Sequence, residues 1–267
     1  MKKLGRKKKP QVKKQRWYPM VCTPAYNGMV HMEFAQAFSE SAYTCPFFEV
    51  RLMASIIKGG AFIDLTRNIF VRMFLQDEEF KECTHLFFID SDLKWSYHAL
   101  VGLVRSDLPI CAGVYRKRQD EEEYPVKLAE HPTEGGLWVE EEDDGFQWIM
   151  AERVPTGFLC IRRDIVEEMA ADCIQLDING QPGPVPDLFT TGRADGPGQI
   201  KTNIKPRWEN AQRYVGEDFA FCDKYLAKYG KPIHIWPDID FWHDGYVGNY
   251  LRYLERKIEG DKSVESY

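Results

Sequence analysis

The pattern of apolar and polar positions alternates between strand-like runs and segments of helical spacing. CTHLFFI and LPICAGVYR are continuously apolar, which is typical of strands covered on both faces. AFIDLTRNIFVRMFLQ repeats its apolar residues at helical spacing and predicts an amphipathic helix of about four turns. Its polar residues are expected on the other faces of that helix: Arg67, Asn68 and Arg72.

The remaining segments continue this alternation. WYPMVC predicts a first strand, TPAYNG a turn, MVHMEFAQAFSESA a helix and FFEVRLMASI a second strand. GFLCIRR and KPIHIWPDI predict further strands, and DIVEEMAA a short helix. GEDFAFCDKYLAKYG predicts a helix with acids in its first turn and Gly230 just past its end, and FWHDGYVGNYLRYLERKIEG is expected to end in another. We therefore expect an α/β fold with a mostly parallel central sheet flanked by helices.

Two regions depart from this regular alternation. Between Tyr124 and Glu152, LWVE and FQWIMAER predict a small antiparallel excursion around the acidic turn EEDDG. From Asp172 to Tyr214 the chain is rich in Gly, Pro and Asp and has no clear period. A loop of that length in a compact domain is typical of a functional lid or a substrate loop.

Charge is distributed unevenly along the 267 residues. Residues 1–16 hold nine of the 35 Lys and Arg residues and no acid, which leaves 26 basic against 41 acidic residues in the remainder. We expect a basic arm at 1–16, either a solvated tail or a polyanion-binding arm, followed by a single domain at 17–267. The arm lacks the apolar segment of a signal peptide, and no run of about 18 apolar residues predicts a membrane span.

The seven cysteines are scattered through apolar runs, and none forms a CxxC pair. This pattern is typical of small core residues in a reduced, cytoplasmic protein, and it disfavours both a disulfide framework and a zinc site.

The triplet Asp90, Ser91, Asp92 follows directly on the apolar strand CTHLFFI. In an open α/β sheet this is the edge at which ligands bind, and two carboxylates there can converge on Mg²⁺ or Mn²⁺. The alternative is a turn in which both acids cap the following segment. His243, in FWHDGYVG, is a candidate further ligand, although a histidine beside a tryptophan is more often structural.

Two acids and one glycine complete the candidate set. Glu217 and Asp218 open a helix, so they either compensate its dipole or supply a general base for a hydroxyl acceptor. Gly157 precedes a strand, where the missing side chain lets a ligand approach the backbone. The sequence contains no GxSxG, GxxxxGK[ST], GxGxxG or HExxH motif.

Taken in order, these motifs resemble the nucleotide-sugar-dependent glycosyltransferases of GT-A type, in particular their soluble viral and bacterial branch. The matching segments are TPAYNG, LTRN, HLFFIDSDLKW, ICAGVYRKR, VPTGFLCIRR, GEDFAFC and the late HDG, from about Val21 to Gly245. The resemblance implies a GT-A fold, a UDP- or GDP-sugar donor and a Mn²⁺ or Mg²⁺ cofactor.

The resemblance also implies roles for individual residues. Asp90 and Asp92 would be the D-x-D pair, Asp92 the more direct ligand, and His243 would complete the metal site. Glu217 or Asp218 would contact the sugar or acceptor and act as base if the reaction inverts configuration. The remaining residues would bind the donor or acceptor: Thr23, Pro24 and Tyr26 around the nucleotide, Arg67 and Asn68 near its base or diphosphate, and Gly157 beneath the acceptor or sugar.

Several alternatives remain at this stage. Arg116, Lys117 and Arg118 either help to neutralise the diphosphate or lie in a solvated loop. The basic arm favours DNA with a hydroxymethylated base as acceptor, as for base J glucosyltransferases, over a glycan, lipopolysaccharide or protein hydroxyl. A sugar-nucleotide pyrophosphorylase is disfavoured, because we would expect a Gly-rich phosphate loop at the first turn, where TPAYNG has a single glycine. A protein of a different class, a non-catalytic polyanion-binding module, is the remaining alternative.

Overall fold

A computed structural model describes residues 17–142, 146–193 and 214–264, with side chains described as far as residue 259. The helices are α1 (Met32–Thr44), α2 (Ile63–Gln76), α3 (Tyr97–Arg105), α4 (Arg163–Ala171), α5 (Glu217–Tyr229) and α6 (Tyr250–Val264). The longer strands are β1 (Pro19–Ala25), β2 (Met53–Lys58), β3 (His85–Ile89), β5 (Ile110–Gly113), β8 (Gln147–Arg153), β9 (Phe158–Arg162), β14 (Ile233–Trp236), β15 (Asp240–His243) and β16 (Tyr246–Asn249). The short strands are β4 (Leu93–Lys94), β6 (Lys127–Leu128), β7 (Val139–Glu141), β10 (Gln175–Leu176), β11 (Val185–Pro186), β12 (Gly192–Arg193) and β13 (Tyr214–Val215).

The central sheet is mixed, with the order β2-β1-β3-β9-β5-β14-β8-β6 and β7 paired to β8. Strands β2, β1, β3, β5 and β14 run in one direction, while β9 and β8 run in the other. The predicted α/β class with a mostly parallel sheet is therefore confirmed at this coarse level. The predicted excursion exists as the antiparallel pair β7 and β8, but β8 belongs to the main sheet beside β14.

Helices cover both faces of the sheet, and strand β3 shows why its sequence is continuously apolar. Leu86 and Phe88 pack into a core formed with α2, α4 and α5, whereas Phe87 and Ile89 pack against α1 and α3. All four side chains are fully buried. A strand with a hydrophobic core on each face loses the polar alternation of a half-exposed strand.

A second sheet of three short strands, in the order β16-β15-β4, lies next to the end of β3. Strand β4 begins three residues after Asp90, and its Leu93 pairs with His243 of β15. This register brings a residue near the end of the chain to the residues that follow β3.

Helix α2 is where the structure departs most from the sequence prediction. Arg67, Asn68 and Arg72 are buried, although they were expected on faces away from the core. The reason is a long-range contact, because β11 and the residues after it pack on the polar side of α2. The described part of the predicted long loop thus forms a covering layer with two short strand pairs, and residues 194–213 lie outside the described residues.

Other predictions differ by smaller amounts. Strand β2 begins at Met53, later than predicted, because Cys45–Phe48 forms a 3-10 turn ahead of it. Helix α5 begins at Glu217 and ends at Tyr229, and the next residue, Gly230, has a left-handed φ of 64°, so both predicted boundaries are confirmed. In the portions of the chain described, none of the helices has the length and apolar character required to cross a membrane.

Candidate functional site

Asp90 lies at the end of β3, and three neighbours hold it in place. Its backbone N–H donates to the carbonyl of Gly157, 2.9 Å away. Nη2 of Arg67 donates to Oδ1 at 3.1 Å, and the hydroxyl of Tyr115 donates to Oδ2 at 3.4 Å. The carboxylate is thus fixed at the sheet edge by one charged and one neutral donor.

Arg67 is the buried cation at the centre of the site. It lies between Asp90 and Glu217, whose Oε1 is 3.5 Å from its Nε, and it stacks over the ring of Phe88 at 5.1 Å. Burial opposes the positive charge, but the two carboxylates outweigh it and raise the pKa of Arg67. Nη1 of Arg67 is buried without a hydrogen-bond partner in the described structure.

Gly157 allows the close packing behind Asp90. A Cβ at this position would lie 2.1 Å from the Tyr115 hydroxyl and 2.3 Å from Oδ2 of Asp90. The N–H of Gly157 also donates to the Tyr115 hydroxyl at 3.1 Å. The glycine therefore permits a contact with Asp90 and Tyr115, and it does not itself line the cavity.

Asp92 and His243 form the second part of the site. Nε2 of His243 is 3.5 Å from Oδ2 of Asp92, and its Nδ1 is 2.7 Å from the carbonyl of Arg116. A backbone carbonyl can only accept a hydrogen bond, so Nδ1 carries the donated hydrogen and Nε2 points at the Asp92 carboxylate. Burial lowers the pKa of His243, but the hydrogen bonds to Asp92 and to Arg116 outweigh it, and the pKa is raised.

The Asp92 carboxylate is held in its charged form. Burial alone would raise its pKa, yet the hydrogen bond from His243 and the charges of His243 and Arg118 bring the pKa below its usual value. Arg118 reaches Oδ2 of Asp92 at 3.0 Å and Oδ2 of Asp244 at 3.8 Å. Asp244 in turn donates its backbone N–H to the Asp92 carbonyl at 3.2 Å.

These groups open into a cavity of about 790 Å³ at the end of the central strands. Its walls come from the end of β1 and the loop after it, the end of β2, the start of α2 and the residues before it, the segment after β3, the loop after β5 and the start of α5. The predicted residues that line it are Pro24, Tyr26, Arg67, Asp90, Asp92 and Glu217. A volume of this size suits a ligand such as a nucleotide.

The other predicted residues do not line the cavity. Thr23 is buried within β1, and His243 lies behind Asp92. Asn68 is engaged elsewhere, since its amide bonds to Asp187 and to both backbone groups of Phe189. These contacts of Asn68 anchor the segment that covers α2.

Asp218 is set back from the cavity in the first turn of α5. Its Oδ1 accepts from the N–H of Phe219 at 2.7 Å. Burial and the charge of Glu217 raise the pKa of Asp218 to about 6. Its environment therefore differs from that of Glu217, which forms the ion pair with Arg67.

Within the described ranges, no group of three or more acidic, histidine or cysteine side chains is arranged to hold a metal ion. The donor set nevertheless fits a cation shared with a ligand, because Mg²⁺ and Mn²⁺ commonly use one or two protein ligands together with substrate phosphates. Asp92 is ionised, and the carbonyl of Arg116 orients the imidazole of His243 so that its Nε2 faces the Asp92 carboxylate. Asp90 is less available as a metal ligand, because Arg67 and Tyr115 donate hydrogen bonds to its two carboxylate oxygens.

Sequence analysis did not identify Tyr115 or Asp244. Tyr115 follows an apolar strand as one more aromatic residue, and only the position of β9 between β3 and β5 brings it to Asp90. Asp244 carried a local signal, because HDG places an acid before glycine in a tight turn, and its φ is 49°.

The sequence matches no protein-family model, and no curated protein matches it either.

Proposed function

We propose that the protein is a metal-dependent glycosyltransferase that moves a sugar from a nucleoside diphosphate sugar to a hydroxyl acceptor. The observation that supports this most directly is the pairing of Asp92, which lines the cavity, with His243 behind it. Two residues separated by most of the chain meet there beside Asp90, at the strand edge where ligands of α/β sheets bind.

The proposal assigns the donor to the cavity, with its diphosphate toward Asp92. Mn²⁺ or Mg²⁺ held by Asp92 and His243 would neutralise negative charge that develops on the departing nucleoside diphosphate. Pro24 and Tyr26 then border the nucleoside. Nη1 of Arg67, buried and without a hydrogen-bond partner in the described residues, is a donor for an oxygen of the sugar.

The two acids at the start of α5 receive different roles in this proposal. Glu217 holds Arg67 in place through their ion pair. Asp218 lies next to Glu217 of the cavity wall, and in this proposal its carboxylate turns from the N–H of Phe219 toward the cavity and accepts the proton of the acceptor hydroxyl. A carboxylate with a pKa of about 6 is a stronger base than an exposed one. This assignment predicts inversion at the anomeric carbon.

The first test is a thermal-shift screen of nucleoside diphosphate sugars with and without Mn²⁺. A matching donor should raise the melting temperature only when Mn²⁺ is present. Asp92→Asn should abolish Mn²⁺-dependent donor hydrolysis, and Asp240→Asn, a β15 acid outside the cavity lining, is the matched control. Hydrolysis that survives in Asp92→Asn would show that the metal assignment is wrong.

For the acceptor, we propose a hydroxymethylated base in DNA. The support is the basic segment 1–16, which lies outside the described residues and carries nine positive charges without an acid. A base hydroxyl would have to be accessible or extrahelical to reach the site. Transfer to a panel of hydroxymethylated duplexes tests this, and transfer to a glycan or protein hydroxyl alone would replace it.

A non-catalytic polyanion-binding module predicts the opposite result. DNA binding would then persist while neither Mn²⁺ nor any nucleoside diphosphate sugar bound the protein. The binding measurements on the wild-type chain therefore separate the two classes before any acceptor is known.

A further inference from the structure

Arg118 lies at the mouth of the cavity and bridges two carboxylates. Its Nη1 is 3.0 Å from Oδ2 of Asp92 and 3.8 Å from Oδ2 of Asp244. Asp92 is largely buried, whereas the side chain of Arg118 is 55% exposed. The guanidinium therefore approaches Asp92 from the solvent side, while His243 approaches it from the protein side.

The turn around Asp244 gives this arrangement a defined shape. Asp244 adopts a left-handed φ of 49°, which is uncommon for a residue with a side chain. Its N–H donates to the Asp92 carbonyl, and its carboxylate is 3.7 Å from Nδ1 of His31. Asp92 and Asp244 thus present two carboxylates toward one place, and a positive charge there stabilises both.

The neighbours of Arg118 are anchored to their own loop. Arg116 donates to the carbonyls of Gln119 and Asp120, and Lys117 pairs with Glu123. Arg118 instead points out of the loop and is held by its ion pairs across the cavity mouth. Its long side chain can turn without disturbing the backbone that carries it.

We propose that Arg118 and a divalent cation compete for Asp92, and that Arg118, once displaced, binds the diphosphate of the donor. This inference rests on the proposed function. A cation on Oδ2 of Asp92 and a guanidinium at the same oxygen repel each other, whereas a diphosphate attracts both. Binding of the cation and of the diphosphate is therefore coupled through one arginine.

This exchange of Arg118 for a cation at Asp92 predicts that substitution of Arg118 has opposite effects on the binding of Mn²⁺ and of Mn²⁺–pyrophosphate. Arg118→Gln should bind Mn²⁺ alone about threefold to tenfold more tightly, because the competing charge is gone. The same variant should bind the Mn²⁺–pyrophosphate complex at least about tenfold more weakly, because a charge-assisted contact is lost. Pyrophosphate is the probe because it needs no knowledge of the nucleotide base.

The experiment is isothermal titration of Mn²⁺, and then of Mn²⁺–pyrophosphate, into the full chain and its variants. Lys117→Gln removes the same charge from the adjacent residue and should leave both affinities unchanged. Arg118 is exposed enough that Arg118→Gln should keep the wild-type melting temperature, which the same samples will show.

The outcomes separate this inference from the proposed function. If Mn²⁺ binds the wild type but not Asp92→Asn, and Arg118→Gln binds it no more tightly than the wild type, the exchange is wrong and the metal site stands. If the wild type and Asp92→Asn bind Mn²⁺ equally, both are wrong. Unchanged affinity of Arg118→Gln for Mn²⁺–pyrophosphate would overturn the diphosphate role.

Discussion

A single methyl group at position 157 would meet two atoms of the site at once. The added Cβ would lie 2.3 Å from the Asp90 carboxylate and 2.1 Å from the Tyr115 hydroxyl, and these two groups are hydrogen-bonded to each other. Such a contact forces side chains or backbone to shift. At the scale of one residue, the position of Asp90 therefore depends on the smallness of Gly157.

Gly157→Ala should reduce Mn²⁺-dependent donor hydrolysis by about a hundredfold, because Asp90 moves, and should destabilise the fold by about 1–3 kcal/mol. Hydrolysis rates and urea denaturation measure the two effects. Tyr115→Phe removes one of the clashing atoms. The variant that combines Gly157→Ala with Tyr115→Phe should therefore lose less free energy of unfolding than the sum of the losses in the two single variants. Simple additivity would show that the clash with Tyr115 is not the cause.

Ionisation of Asp218 should lower the free energy of unfolding of the protein near neutral pH. Its pKa is 3.8 when unfolded and about 6 in the fold, so the folded state binds its proton more tightly. Stability therefore falls as pH rises from about 4 to about 6, and the loss is complete above pH 6.

Asp218→Asn should consequently raise the free energy of unfolding at pH 7 by about 1–3 kcal/mol and make no difference below pH 4. The same variant should lose transfer activity, which in the wild type should rise with pH through about 6. Urea denaturation across pH 4–8 and initial rates measure these. A variant that is less stable than the wild type at pH 7 would contradict the raised pKa.

At the scale of elements, α2 connects the cavity to the segment that covers it. Arg67 faces the acids of the site, and the next residue, Asn68, binds both backbone groups of Phe189. Of these two adjacent residues of α2, Arg67 thus belongs to the candidate site, whereas Asn68 stabilises the fold. We expect substitutions at the two positions to affect different measurements.

Asn68→Ala should destabilise the protein by about 2–4 kcal/mol, because the N–H and C=O of Phe189 lose their partner in a buried place. Donor affinity of the folded protein should stay within about twofold of the wild type, since Asn68 does not line the cavity. Gln76→Ala is the control, because Gln76 makes one exposed contact from the same helix. Equal losses from both variants would contradict the anchoring role.

Local signals explain which elements could be predicted from the sequence. Strand β3 is apolar throughout, and α5 has acids at its start and Gly230 at its end, so both follow from short-range rules. The burial of the polar side of α2 could not be predicted, because it depends on a segment more than a hundred residues away. Asp90 and Asp92 were likewise predicted from a strand end, whereas Tyr115 reaches Asp90 only through tertiary packing.

At the scale of the whole molecule, charge is separated between a basic arm and an acidic body. The chain after residue 16 has 26 basic and 41 acidic residues, and this excess of negative charge repels DNA unless another part of the chain attracts it. The proposed DNA acceptor therefore depends on the arm for long-range affinity and on the cavity for chemistry.

Deleting residues 1–16 should weaken duplex DNA binding at low salt by on the order of tenfold or more and reduce its salt dependence. Donor hydrolysis should be unchanged, because the cavity is formed by residues 24–217. Fluorescence anisotropy at two salt concentrations and a hydrolysis assay measure the two properties. Unaltered DNA affinity would remove the nucleic-acid argument.

The position of β14 has a consequence for synthesis on the ribosome. This strand is made from residues 233–236, yet it lies inside the sheet between β5 and β8, and His243 follows it a few residues later. A nascent chain that has emerged only as far as α5 lacks an inner strand of its sheet and the partner of Asp92. The central sheet therefore cannot be completed before residue 236 has been synthesised, and a chain that is terminated before His243 lacks the pair of Asp92 and His243.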